Sequence, residues 1–233
     1  MRFFPGFTLS LALFVGVCVI PFRAGADDSH DAAGRPKEAR LEEMRSARVN
    51  LDAILEAFRE MPGLEARFVE EKKLALLARP LRSEGTIYYL PNRALLRVVD
   101  QPKPSSVRID QRALILREGG REERLDLRSM KSVRPLVEAL LLLFSGDRDA
   151  LDRVFMVEFQ RSDARWILHL RPRDAELAHL LDRITIRGGG FVVESIRIQE
   201  RAGDETEMTI LSADPHRVFS AAEREKLFGD AGS

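Results

Sequence analysis

Residues 68–99 have the sequence FVEEKKLALLARPLRSEGTIYYLPNRALLRVV, and this stretch decides the fold. Proline occurs only at Pro80 and Pro91, in the breaks between apolar segments, where its missing N–H costs no strand hydrogen bond. In each segment apolar residues recur at every second position, and such alternation is typical of half-buried strands. We therefore predict three consecutive antiparallel strands, the first over 64–77, that share one apolar face through Leu74 and Leu76, Ile87 and Tyr89, and Leu96 and Val98.

A second stretch, residues 135–144, is apolar except for Glu138. Pro135 suits the first turn of a helix, where its missing N–H has no intrahelical partner. A helix that is apolar almost all round cannot lie on a surface with one face in water. This helix is therefore either a fully buried core helix or a helix with one face on an apolar ligand, and the sequence leaves both open.

The rest of the chain is dominated by a period of two, which also indicates strands. A leading amphipathic helix precedes the first strand, with Asn50 as its cap and Pro62-Gly63 as its end. A switch of parity near Glu194 or Ser195 predicts a β-bulge, a device by which sheets curve. Because strands and helices do not alternate, a doubly wound parallel sheet is excluded. We predict an α+β fold in which about ten strands form a strongly curved antiparallel sheet around an apolar cavity, with a few helices on one side.

The N-terminal residues have the pattern of an export signal. Arg2 precedes an apolar run over 7–22, and Ala24-Gly25-Ala26 supplies the small residues that a signal peptidase requires. We predict a signal peptide over 1–26, a disordered leader over 27–40 and a single domain over 41–233, with an uncleaved anchor as the alternative. Cys18 lies inside the signal, so the mature protein is expected to have no disulfide.

Composition and motifs favour binding over catalysis. The 37 basic and 37 acidic side chains cancel, which argues against a nucleic-acid partner. No G-x-S-x-G elbow, phosphate-binding glycine loop or H-E-x-x-H motif occurs, and no two of the four histidines have metal-ligand spacing. We predict a protein that is not an enzyme and that has no catalytic residue, cofactor or metal.

An apolar interior could bind a lipid without any special residue. Burial of a CH₂ contributes about 0.8 kcal/mol, so a dozen methylenes would gain on the order of 10 kcal/mol before entropic costs. The predicted lipid-binding residues are the apolar ones of the strands and of the apolar helix: Leu74, Leu76, Ile87, Tyr89, Leu96, Leu140, Leu143, Phe144, Phe159, Trp166 and Leu168.

Several segments together resemble the LolA-like family of outer-membrane lipoprotein carriers. They lie within about 50–211 and have the sequences FVEEKKL (68–74), RPLRSEGTIYYLP (79–91), LILREGG (114–120), LDL (125–127), LFSGD (143–147) and WILHLRP (166–172). The resemblance implies an open half-barrel with a lid, working in the periplasm. It also implies that acylated lipoproteins arrive from an inner-membrane exporter and leave to an outer-membrane acceptor. In the family an arginine before the strand-ending proline helps to hold the lid closed, whereas Leu90 stands there in this chain.

Three functions follow as hypotheses. The first is a monomeric periplasmic carrier for acylated lipoproteins or other lipidic cargo. The second is an envelope sensor or adaptor domain on the same half-barrel, which binds a partner protein. The third, an enzyme that acts on lipids, has the least support because no nucleophile with an oriented base is visible.

Overall fold

The computed structural model describes residues 49–110, 112–129, 134–163 and 165–229, without the side chains of 135, 136, 139, 140 and 143. The predicted signal peptide, the leader and residues 41–48 lie outside the described residues. In chain order the elements are α1 (Leu51–Arg59), β1 (Leu64–Lys73), β2 (Leu81–Leu90), β3 (Ala94–Gln101), β4 (Ser105–Asp110), β5 (Ala113–Glu118), β6 (Arg121–Asp126), α2 (Arg134–Ser145), α3 (Arg148–Val154), β7 (Phe155–Ser162), β8 (Arg165–Pro172), α4 (Ala175–Ala178), β9 (Leu181–Gly189), β10 (Val192–Glu200), β11 (Glu205–Asp214) and α5 (Ala221–Phe228).

Eleven antiparallel strands form one sheet in the order β6-β5-β4-β3-β2-β1-β11-β10-β9-β8-β7. The two edge strands, β6 and β7, do not pair with each other, so the sheet is an open half-barrel as predicted. The predicted bulge is confirmed by a register shift between Val193 and Ser195, and a further shift occurs between Arg67 and Phe68. Bulges increase local twist and bend the strand, which curves the sheet.

The main core lies between one face of this sheet, here called the inner face, and α1, α2, α3 and α4. It draws on every second residue of the strands, because side chains of a strand alternate between faces. In β1, for example, Leu64, Ala66 and Phe68 are buried in it, while Arg67 is exposed. From the helices it takes residues such as Leu55 and Leu151.

Both predicted helices are confirmed. Asn50 caps α1, where its side-chain oxygen accepts from the Ala53 N–H at 2.8 Å, and α1 ends before Pro62. The apolar stretch forms α2, which packs against α1 and α3. Among the described residues, no helix is long and apolar enough to cross a membrane.

The opposite, outer face of β2 and β3 carries a second, smaller core. Leu96 and Ala94 pack there with Phe219 and Phe228, beneath α5. Ser220 and Glu223 cap α5 reciprocally. The predicted position of Leu96 and Val98 on the same face as Ile87 is wrong, because Ile87 lies opposite Arg97 in the register and shares its face. Since α5 covers β3 from outside, this strand is apolar on both faces.

The first predicted strand is too long. β1 ends at Lys73, and residues 74–80 form the β1–β2 loop. Leu74 and Leu76 are therefore not strand residues, and the side chain of Leu76 is 97% exposed. The alternation of leucines in this loop imitates a strand, but the segment has no neighbour that would bury it.

Gly85 is a position where a side chain has no room. A Cβ there would lie 1.9 Å from the carbonyl oxygen of Val98 on the paired strand. We expect Gly85→Ala to lower the free energy of unfolding by about 1–3 kcal/mol, because the β2–β3 pairing must shift. Urea denaturation measures this, with Thr209→Ala on an exposed strand position as the control. Equal stability of the two variants would contradict the packing around Gly85.

Candidate functional site

The inner face is an apolar surface covered by helices. Its strand residues and α2 meet at an aromatic contact, where the rings of Tyr89 and Phe144 stack with centroids 4.6 Å apart. Stacked rings of this kind contribute about 0.5–1.5 kcal/mol beyond their buried area. Side-chain packing of this kind attaches α2 to the sheet, so α2 has the position expected of a lid.

Five of the predicted lipid-binding residues come together in the main core: Ile87, Tyr89, Phe144, Trp166 and Leu168. Phe159 packs against this core, with its ring centroid 6.1 Å from that of Trp166. The indole N–H of Trp166 donates to the Gly190 carbonyl at 2.8 Å. Five of these residues follow the inner face from β2 to β7, and Phe144 of α2 packs on it.

The other predicted lipid-binding residues are placed differently. Leu140 and Leu143 belong to α2, but their side chains lie outside the described residues. Leu96 is on the outer face, and Leu74 and Leu76 are in the β1–β2 loop. Lipid contact of the eleven residues stays a prediction; five of them lie together on the inner face, and Phe144 of α2 packs against this face.

A cavity of about 460 Å³ opens where α2 meets the turn between β2 and β3. Tyr89, Leu141 and Leu142 form its apolar wall, and Asn92, Arg93, Asp110, Glu138 and Ser145 are among its polar residues. Its wall includes Tyr89, so the cavity touches the aromatic contact that holds α2. We call this cavity the mouth.

The inner face also carries buried charges. The Arg97 guanidinium donates to the Glu70 carboxylate at 2.9 Å and lies 4.8 Å from the centroid of the Phe68 ring. The Ser83 hydroxyl is 3.3 Å from the same carboxylate. Both charged residues are almost fully buried, at 6% exposure each. The apolar inner face therefore contains a buried ion pair, formed by Glu70 of β1 and Arg97 of β3.

Hydrogen bonding of these charges is incomplete. The second carboxylate oxygen of Glu70 and the Nε of Arg97 have no hydrogen-bond partner. Lys72, on the same face of β1, is buried with its Nζ 3.6 Å from Glu200. Burial raises the pKa of the Glu70 carboxyl, against the opposing effects of Arg97, Ser83 and Lys72. Such groups are strongly coupled, so loss of one partner should be costly.

Residue type alone suggests a solvated edge for 70–73, EEKK, and this interpretation is half wrong. Glu71 and Lys73 are exposed, but Glu70 and Lys72 are buried. The signal that could have found them is parity, because Glu70 and Lys72 continue the series of Leu64, Ala66 and Phe68. That interpretation relied on the charge of the side chains and ignored their position in the alternating pattern.

The described residues offer no group of three or more His, Cys, Asp or Glu side chains that could hold a metal ion. His169 lies on the outer face, with its Nδ1 3.0 Å from the Thr185 hydroxyl. Its pKa is lowered by burial and by nearby arginines, Arg183 first among them. The site thus consists of an apolar face, a helix over it, a mouth and a buried ion pair.

Comparison with protein families gives one match, to the family described as outer membrane lipoprotein carrier protein LolA-like, over residues 44–227. The chain belongs to this LolA-like family. Its domain is therefore of the carrier type. The open sheet and its helices agree with this assignment. A comparison with curated proteins found no significant match.

Solved structures with a similar fold are distant in sequence. The LolA superfamily protein NE2245 from Nitrosomonas europaea is 11% identical, with a TM-score of 0.41 over 77% of this chain and 97% of that one. A DUF1329 family protein from Desulfovibrio piger is 10% identical, with a TM-score of 0.42 over 79% and 98%. A chain of the MucA/MucB complex from Pseudomonas aeruginosa is 13% identical, with a TM-score of 0.44 over 77% and 59%.

This LolA-like protein places Leu90 on the outer side of the sheet. Leu90 packs against the smaller core with Phe219, whereas its neighbour Tyr89 faces the helices. Side chains alternate along a strand, so these two residues cannot share a face. At this end of β2 the stack of Tyr89 on Phe144 is an apolar contact with α2.

Proposed function

We propose that this chain is a periplasmic carrier that binds the acyl chains of lipoproteins or other lipidic cargo on its inner face and moves them toward the outer membrane. The observation that carries the proposal is an apolar inner face on an open sheet, covered by helices that attach through side-chain packing. Family membership supports the same function. An inner-membrane exporter would supply the cargo and an outer-membrane acceptor would receive it.

Binding requires α2 to move, because the inner face is densely packed beneath it. An acyl chain that replaces the apolar side chains of α2 on the sheet keeps that surface out of water. Each buried CH₂ contributes about 0.8 kcal/mol, which offsets the lost contacts of α2. The mouth lies beside Leu141 and Leu142 of α2, so entry there would begin by displacing this helix.

Mass spectrometry of what the purified chain releases on denaturation tests the proposal directly. A carrier is expected to release acylated molecules in about equimolar amount when it is purified from cells that export it. A binding assay with a fluorescent fatty acid is then expected to show saturable uptake by the delipidated chain. Absence of both lipid and uptake would contradict the carrier function.

Leu142→Arg is expected to weaken binding of the fluorescent fatty acid about tenfold or more. The half-buried Leu142 lines the mouth, and an arginine there would place a charge in the path of the acyl chain. The matched control is Leu211→Arg, which makes the same change at an exposed position of β11. Fluorescence titration gives both affinities, and circular dichroism checks that both variants fold. Equal affinities would remove the mouth from the binding path.

A second candidate is an adaptor domain in the envelope that binds a partner protein on the same half-barrel. The packing of the inner face favours it, because Leu64, Ile87, Leu170, Ile184 and Ile196 have no exposed surface. A protein that carries no lipid would have such a core. Recovery of one regulator protein and no lipid from the envelope would favour this candidate.

A further inference from the structure

The β1–β2 loop exposes large apolar side chains to solvent. Leu76 is 97% exposed, and Leu77 and the first residue of β2, Leu81, are each exposed by about half. Three exposed leucines within six residues are unusual, because isolated apolar residues on a surface are normal but clusters mark interaction sites. This loop is at the opposite end of β2 from the mouth.

The loop and the strand ends that flank it are basic. Between Glu71 and Glu84 the chain has no acidic residue, and it carries Lys72, Lys73, Arg79 and Arg82. Lys72 is buried, and Lys73 lies 3.4 Å from Glu205. Arg79 and Arg82 are exposed, and neither has an ion pair within 4 Å with a described residue, although Arg82 lies opposite the exposed Glu71 in the β1–β2 register. Two unpaired cations therefore stand beside the exposed leucines.

The base of the loop is held in place. The Ala75 N–H donates to the Asp204 carboxylate at 2.9 Å, across to the β10–β11 turn. The Leu77 N–H donates to the Leu74 carbonyl at 2.9 Å, which closes a tight turn. Leu76 is thus presented at the tip of an anchored turn.

We propose that the β1–β2 loop docks the protein on an anionic phospholipid surface. Leu76 and Leu77 enter the boundary between headgroups and acyl chains, and Arg79 and Arg82 contact lipid phosphates. This pairing of apolar insertion with basic charge is how peripheral segments bind anionic membranes. A protein partner would need a groove for the leucines and acids for both arginines. An anionic bilayer supplies an apolar layer for the leucines and phosphates for the arginines, and it needs no specific fold to do so.

Docking through this loop would fix the orientation of the chain. The mouth, at the other end of β2, would face away from the bilayer, where a second protein can reach it. The inference concerns attachment to the membrane and needs no lipid on the inner face. The two proposals can therefore fail independently. Docking is measured by a dye on the loop, and carrier function is measured by the lipid that the chain releases.

An environment-sensitive fluorophore on the loop tests the docking. In the full chain with Cys18→Ser, Leu76→Cys is labelled with a nitrobenzoxadiazole dye and mixed with phosphatidylglycerol/phosphatidylethanolamine vesicles. A blue shift and a severalfold gain in emission are expected. The control is the same label on Leu211→Cys, an exposed leucine of β11. Each dye reports only the surroundings of its own position. Membrane attachment through residues 7–22 would therefore not by itself give a larger blue shift at residue 76 than at residue 211.

Charge is tested in the same assay. Arg79→Gln with Arg82→Gln is expected to weaken vesicle binding about 30-fold, since each basic residue near an anionic surface contributes about fivefold. The matched control is Arg171→Gln with Arg224→Gln, which removes two exposed arginines elsewhere. An unchanged emission of the dye at residue 76 would overturn the proposal. So would equal shifts at 76 and 211, or equal losses in the two double variants.

Discussion

Glu70→Ala is expected to lower the free energy of unfolding by about 3–5 kcal/mol. The substitution leaves the Arg97 guanidinium buried without its carboxylate partner at 2.9 Å. Water cannot compensate, because the side chain of Arg97 is 7% exposed. Urea denaturation followed by tryptophan fluorescence measures the loss, since Trp166 is the only tryptophan and is buried.

Two controls separate the buried pair from charge removal in general. Glu122→Ala breaks the pair of Glu122 with Arg117, whose side chains are about half exposed, and should cost at most about 1 kcal/mol. Glu70→Leu with Arg97→Met removes both buried charges and is expected to restore the stability of the native chain or exceed it. A double variant as unstable as Glu70→Ala would contradict the account of the pair.

The pH dependence of stability follows from the same carboxyl. Burial raises the folded-state pKa of Glu70 above its ordinary value of 4.5, so the folded chain binds more protons than the unfolded chain between the two values. The free energy of unfolding should therefore fall as pH rises from 4.5 through the folded-state pKa. The double variant Glu70→Leu with Arg97→Met should lack this contribution. Thermal melts of both chains at a series of pH values compare them, and identical slopes would contradict the raised pKa.

Phe144→Ala should have the next largest effect, a loss of about 3–5 kcal/mol in the free energy of unfolding. Phe144 is buried and stacks on Tyr89, so its removal leaves a cavity between α2 and the sheet. Amide hydrogen exchange is expected to accelerate in α2 more than in β8 and β9. Val218→Ala, at an exposed position, should change neither measurement by more than about 0.5 kcal/mol.

The same variant distinguishes a lid from a core helix. If α2 is a lid, Phe144→Ala weakens its closed position and should speed release of a bound fluorescent fatty acid severalfold. If α2 is only a core helix, exchange in α2 and in the strands beneath it should accelerate together. Release rates in a stopped-flow competition experiment decide between the two.

Much of the fold could be predicted because two periodicities dominate the sequence. The period of two in the strands indicated the antiparallel sheet, and the parity switch near Glu194 or Ser195 predicted the bulge that lies between Val193 and Ser195. The α2 helix followed from an apolar run that a surface cannot accommodate. Ile87 and Tyr89 were placed on one apolar face because they are two residues apart, and both are buried while their neighbours in β2 are less so.

The face assignments that failed have a common physical reason. β3 is buried on both faces, by the main core inside and α5 outside, so hydrophobicity alone could not assign Leu96 to a side. Glu70 and Arg97 are buried as a pair although 27 residues of chain separate them. No local sequence pattern shows that two such distant residues pair. Leu76 follows strand parity but lies in a loop without covering residues. Each case depends on a tertiary neighbour.

The most direct test of the central claim is to map where an acyl chain lies. A fatty acid with a photoactivatable diazirine near its terminal methyl group is bound to the delipidated chain, cross-linked by light and located by peptide mass spectrometry. The predicted result is adducts on inner-face peptides that contain Tyr89, Trp166 and Leu168, and on the α2 peptide that contains Phe144. Adducts confined to the outer-face peptide over 219–228 or to the β1–β2 loop would contradict a lipid site beneath α2.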